Sequence, residues 1–152
     1  TLRKITRFAG FFADLHKSSI TILAFACGNA FGDDIKILCG VDTLALEELA
    51  LGADGWVAGL VDAFPRETVV IYELVKQNRI SEATEIYRWF MPLLELDIHP
   101  KLVQNIKLAE VATGIGTEHV RPPRLPLIGK ERDFVQSVID KALANRPEMP
   151  NI

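Results

Sequence analysis

The sequence predicts an α/β unit built on a parallel strand pair, followed by a run of helices. Three observations carry that prediction. Ile35 to Cys39 and Trp56 to Val61 are short apolar runs rich in β-formers, closed by Gly40 in the first case. Between them, Thr43 to Leu51 has helical spacing, with Leu44, Ala45, Leu46, Leu49 and Ala50 at the apolar positions and Glu47 and Glu48 facing solvent. Two strands joined by a helical crossover form a βαβ unit, which implies a parallel sheet covered by helices. The second run shows no alternation, so both of its faces are expected to be buried.

Gly52-Ala53-Asp54-Gly55 reads as the turn that returns the chain to the second strand. Pro65 is placed at the first position of the next helix, with Glu67 near its positive end, and that helix runs to about Gln77. Asn78-Arg79 is a turn. A helix over about 81–96 carries Ile80, Ala83, Ile86, Tyr87, Phe90, Met91 and Leu94 on one stripe, with Trp89 at its edge as a packing residue and Pro92 as a kink. His99-Pro100 breaks it. Lys101 to Thr113 is a third helix with Leu102, Ile106 and Ala109 facing inward, ended by Gly114-Ile115-Gly116. Three prolines make Val120–Ile128 an extended surface loop. A last helix over about 130–145 buries Phe134, Val135, Val138, Ile139, Ala142 and Leu143, and a frayed tail follows.

Composition excludes several classes. Length and a hydrophobic fraction of 49% allow one core, and a net charge of −3 with mixed signs gives no footprint for nucleic acid or an anionic membrane. Cys27 and Cys39 sit in apolar runs without metal or redox spacing, and read as buried hydrophobes in a reducing, cytoplasmic compartment. His16, His99 and His119 are scattered and propose no metal site. No cofactor motif is present.

Gly40-Val41-Asp42, then Leu51-Gly52-Ala53-Asp54-Gly55, then Phe64-Pro65, and downstream Ile106-Lys107 and Val120-Arg121-Pro122-Pro123, stand in an order and spacing that resembles the dihydrodipicolinate synthase / N-acetylneuraminate lyase family of (β/α)8 barrels. The resemblance covers roughly residues 29–146, with a weaker match at 1–7. It implies the C-terminal portion of a TIM barrel (its last two strands) followed by an all-α helical tail. The implied division is 1–28, an N-terminal helix plus an atypical apolar segment; 29–77, strands seven and eight with their helices; and 78–152, a C-terminal helical region. Between the helix at 1–9 and Asn29-Ala30-Phe31-Gly32-Asp33-Asp34 lie about twenty residues beyond the family pattern. They are expected to be an inserted or foreign segment, or an added structural element. They are too polar to span a membrane.

Barrel active sites lie at the carboxyl ends of the strands. By resemblance, Gly40, Asp42 and Val57 line the pocket for a 2-oxo acid such as pyruvate. Gly40 reads equally as a turn glycine, and Asp42 as a cap for the 43–51 helix. Asp62 reads as a cap or loop residue. The family's chemistry needs a desolvated lysine that forms a Schiff base. In the family that lysine ends the sixth strand, just ahead of what Thr1 to Arg7 resembles. None of the eight lysines here matches it: Lys36 is at the wrong end of a strand, Lys107 is on a helix, and Lys4, Lys17, Lys76, Lys101, Lys130 and Lys141 read as solvated. Tyr72 and Tyr87 do not match the family's relay tyrosine. No catalytic residue is therefore assigned within the chain. The expectation is a lyase part that needs the remaining strands, within a homo-oligomer. Residues 58–64 and 106–127 look more like members acting on hydroxyproline-type or sugar-acid intermediates. The competing expectation is a non-catalytic interaction piece or an inactive truncated product.

Overall fold

The computed structural model describes residues 28–30 and 32–152. The expected N-terminal helix, Cys27 and nearly all of the apolar segment lie outside the described residues.

Strand β1, Leu38–Cys39, pairs in parallel with β2, Gly55–Trp56, in the register Leu38 to Gly55 and Cys39 to Trp56. The Asp54 amide donates to the Ile37 carbonyl at 2.7 Å and the Val57 amide to the Cys39 carbonyl at 2.9 Å. A Cβ at position 55 would stand 2.9 Å from Leu38 Cδ2, the end of a side chain that is largely exposed and free to shift. The crossover is a 3-10 turn over Asp42–Leu44 running into helix α1, Ala45–Ala50. Gly52, at φ 101°, makes the left-handed bend that leads back to β2.

The strands are shorter than expected, and burial of both faces does not hold. Leu38 is 58% exposed and Val57 64%. Side chains stand on the faces of a strand pair, and among the described residues these two are left largely uncovered there.

The amino end of the pair is fixed by Asp54. Its carboxylate accepts from the Ile37 amide at 2.9 Å and from Lys36 Nζ at 3.0 Å, and its carbonyl accepts from the Tyr72 hydroxyl at 3.0 Å. The Ile37 amide and then Lys36 hold this carboxyl below its ordinary range.

Helix α2, Pro65–Lys76, starts on proline, whose missing N–H would have no partner in a first turn. It packs against α3, Ile80–Leu94, which contains Pro92. The heart of the core lies here. Phe64 meets Phe90 edge-on at 5.5 Å, Trp89 stacks on Phe90 at 5.5 Å, and Leu60, Ile71, Leu74, Leu93 and Leu94 close around them. Helix α4, Leu102–Thr113, ends at Gly114, φ 76°, with the Ile115 amide returning to the Glu110 carbonyl at 2.9 Å. Helix α5, Gly129–Ala144, lies on α3 and α4, and the Trp89 indole donates to its Ala142 carbonyl at 2.9 Å.

Burial differs from the expected pattern at four places, the first being Glu48 of α1, which is buried where the spacing predicts a solvent-facing residue. Leu102 is exposed in the first turn of α4, ahead of the buried row at Asn105, Ile106, Leu108 and Ala109. Phe134 is 64% exposed, because the buried face of α5 runs through Val135, Ile139 and Ala142, one residue further round the helix. The 120–128 loop is not wholly on the surface, since Val120 and Leu127 anchor it in the interior.

Candidate functional site

The carboxyl ends of β1 and β2 lead into two loops, Gly40-Val41-Asp42 and Val57-Ala58-Gly59. Asp42 joins them. Its side chain is fully buried. Oδ1 accepts from the Trp56 indole Nε1 at 2.9 Å and from the Gly59 amide at 3.3 Å, while Oδ2 accepts from the Leu60 amide at 3.0 Å. Its carbonyl accepts from the Tyr87 hydroxyl of α3 at 2.6 Å. The capping expectation therefore changes target. The carboxylate caps the 3-10 turn Leu60–Asp62, and makes no cap bond to the helix that follows it in sequence. Asp62 lies exposed in that turn.

Gly40 and Val57 stand on the open side of this clamp. Among the described residues nothing lies within 4 Å of a Cβ built on Gly40, and its φ is not in the left-handed range. Neither backbone conformation nor packing among the described residues demands a glycine there. Val57 is adjacent and projects into the open.

The groups behind the clamp are poorly suited to reaction. Cys39, 2% exposed, donates its thiol to the Gly55 carbonyl at 3.2 Å. Burial and then the nearby Glu48 push that thiol up to about 12, so it is not a nucleophile near neutrality. Glu48 is buried too, its carboxyl raised by burial and then by Glu47, and its Oε1 has no partner. Burial also raises the Tyr87 phenol well above its ordinary value. Among the described residues no group of three or more His, Cys, Asp or Glu side chains is placed to hold a metal ion. No helix among them is long and apolar enough to cross a membrane.

The lysines are engaged elsewhere. Lys36 lies at the amino end of β1 with Asp54, Lys76 donates to the Ala53 carbonyl, Lys101 pairs with Glu131, and Lys107 with Glu110. Sequence reasoning missed Trp56, Gly59 and Tyr87 as parts of the clamp. A tyrosine in a helical stripe and a tryptophan in an apolar run look like ordinary core, and their polar ends carry no periodic signal.

The model of the dihydrodipicolinate synthetase family matches residues 23–142. The chain belongs to that family. A 4-hydroxy-tetrahydrodipicolinate synthase from Pelodictyon phaeoclathratiforme is 25% identical over 108 residues, covering 71% of this chain and 36% of the relative. An N-acetylneuraminate lyase from Fusobacterium nucleatum is 28% identical over 116 residues, covering 76% and 40%. The crystal structure of dihydrodipicolinate synthase from Aquifex aeolicus superposes with a TM-score of 0.74 at 22% identity, over 88% of this chain and 45% of that one. The chain thus spans less than half the length of these family members. The parallel pair and its clamp lie within the residues that the family model matches.

Proposed function

We propose that this chain supplies the last two βα units and the helical tail of a (β/α)8 lyase that acts on 2-oxo acids such as pyruvate through a lysine Schiff base. The observation that carries the reading is the buried clamp of Asp42 at the carboxyl ends of a parallel strand pair, with Gly40 beside it uncovered among the described residues. Active sites of such barrels lie at that end. Gly40 offers backbone to the substrate and Val57 an apolar wall. Asp42 acts on the site by fixing the second loop, since its oxygens are already occupied.

In this reading the reacting amine comes from outside the two strands. An uncharged lysine attacks the substrate carbonyl, water leaves, and the iminium accepts electrons as a carbon–carbon bond forms or breaks. The chain alone carries no such reaction. The assembled barrel, in a homo-oligomer, does.

Reductive trapping tests this. Protein carrying these strands is incubated with pyruvate and borohydride, digested and mapped by mass. The expected result is an adduct in the assembled barrel on a lysine outside this chain, and none on its eight lysines. An adduct on Lys36 or any other lysine of this sequence overturns the assignment. The competing reading, a non-catalytic interaction piece, is favoured by the exposed Leu125, Ile128 and Phe134 around the start of α5. It predicts no adduct in any assembly.

A further inference from the structure

Asp97 belongs to the connection between α3 and α4, within the helical tail, yet its carboxyl lies against Gly59 at the end of β2. A Cβ on Gly59 would stand 2.3 Å from Asp97 Oδ1 and 2.8 Å from both Cγ and Oδ2. Gly59 has φ −78°, which any residue adopts. Any side chain at position 59 would therefore have to displace this carboxyl. The amide of the same glycine donates to Asp42 Oδ1. One short stretch of backbone is held between two carboxyl groups that come from segments far apart in sequence. Asp97 Oδ1 is buried and has no hydrogen-bond partner among the described residues.

We propose that Asp97 is a positioning residue of the substrate rim: it braces Gly59 against Asp42, so that the helical tail sets where the end of β2 presents its backbone and Val57. This rests on reading the strand ends as the 2-oxo acid site. Two ionised carboxyls on one peptide repel each other, and a proton on Asp97 removes that repulsion. Burial and then the Asp42 charge favour that proton, raising the Asp97 carboxyl above its ordinary value. The rim is thus proton-linked. Asp42 is the charged group facing Asp97 across the glycine. Tyr87 of α3 is bonded to the Asp42 carbonyl, Lys107 of α4 is held by Glu110, and Asp62, Glu95 and His99 are exposed.

Trp56 reports on the clamp directly, since its Nε1–H donates to Asp42. In the full chain, the indole N–H resonance lost in Trp56→Phe is followed against pH. The expected result is a step whose midpoint lies above the usual carboxylate range, about pH 4, and which Asp97→Asn abolishes without unfolding the protein. A step that survives unchanged in Asp97→Asn overturns the proposal. A second test uses sterics alone. Gly59→Ala lowers Tm, and adding Asp97→Ala to it restores most of the loss. Simple additivity of the two changes overturns the brace. Neither test requires turnover. If trapping with pyruvate fails while the Trp56 step depends on Asp97, the brace stands and the lyase reading falls.

Discussion

The carboxylate of Asp42 and the indole of Trp56 meet at 2.9 Å across the carboxyl ends of the two strands. The same carboxylate also holds the amides of Gly59 and Leu60, so one side chain accepts from the indole of β2 and from two amides at the start of the Leu60–Asp62 turn. Donors at a helix start need such partners, and a buried one without a partner costs about 1–3 kcal/mol.

Removing that acceptor is therefore costly. Asp42→Ala leaves the buried Leu60 amide and the Trp56 indole without partners and opens a small void. The expected loss is about 2–4 kcal/mol, read as a lower urea midpoint with unchanged slope. Asp42→Asn is expected to fall between the two, because its amide can accept at one atom only and turns a donor toward the other N–H groups. A variant as stable as the parent would mean that water replaces the carboxylate.

The order of elements was legible in the sequence because it rests on local signals. Helical spacing, Pro65 at a helix start and Gly114 at a helix end each act within a few residues and appear where expected, whereas the two apolar runs mark the strands but overstate their length. What the sequence did not disclose depends on contacts between distant segments. Asp42 looked like a cap for the next helix, and only the fold brings the Leu60 turn closer to its oxygens. Phe134 looked like core because it sits beside Val135 on the same turn. A rotation of one residue puts Val135 inside and Phe134 in solvent. Gly59 carried no signal at all, since the side chain that a Cβ there would have to displace comes from Asp97.

Alkaline pH is expected to weaken the fold through Cys39. Its thiol has an ordinary value of 9.0 and is pushed up to about 12 by burial, with Glu48 adding to the effect. The folded pKa lies above the unfolded one. The contribution is fully present below about pH 9 and is lost as pH rises toward 12, because the unfolded thiol ionises first. Tyr87, shifted in the same direction, adds to the loss above pH 10, its ordinary value. Denaturation midpoints at pH 7, 9 and 10.5 check this, with Cys39→Ala expected to flatten the fall. Alkylation mapped by peptide mass at pH 8 should leave Cys39 unmodified until the chain unfolds.

Glu67 and Arg146 tie the two ends of the described helical region together. Glu67, in the first turn of α2, is fully buried, and Arg146, just beyond α5, reaches in to pair with its Oε1. The other oxygen, Oε2, is buried without a partner. Taking away the arginine leaves a carboxylate in the interior with nothing to oppose it, and that imbalance outweighs the value of the pair itself. Arg146 is partly in solvent, which lowers the cost below that of a fully enclosed pair. Arg146→Ala is expected to destabilise by about 1–3 kcal/mol. Glu67→Gln in the same background should recover part of it, because a neutral amide tolerates the site without a cation. If Arg146→Ala costs nothing measurable in a urea titration, water reaches Glu67 in solution and the tail does not hold the first turn of α2.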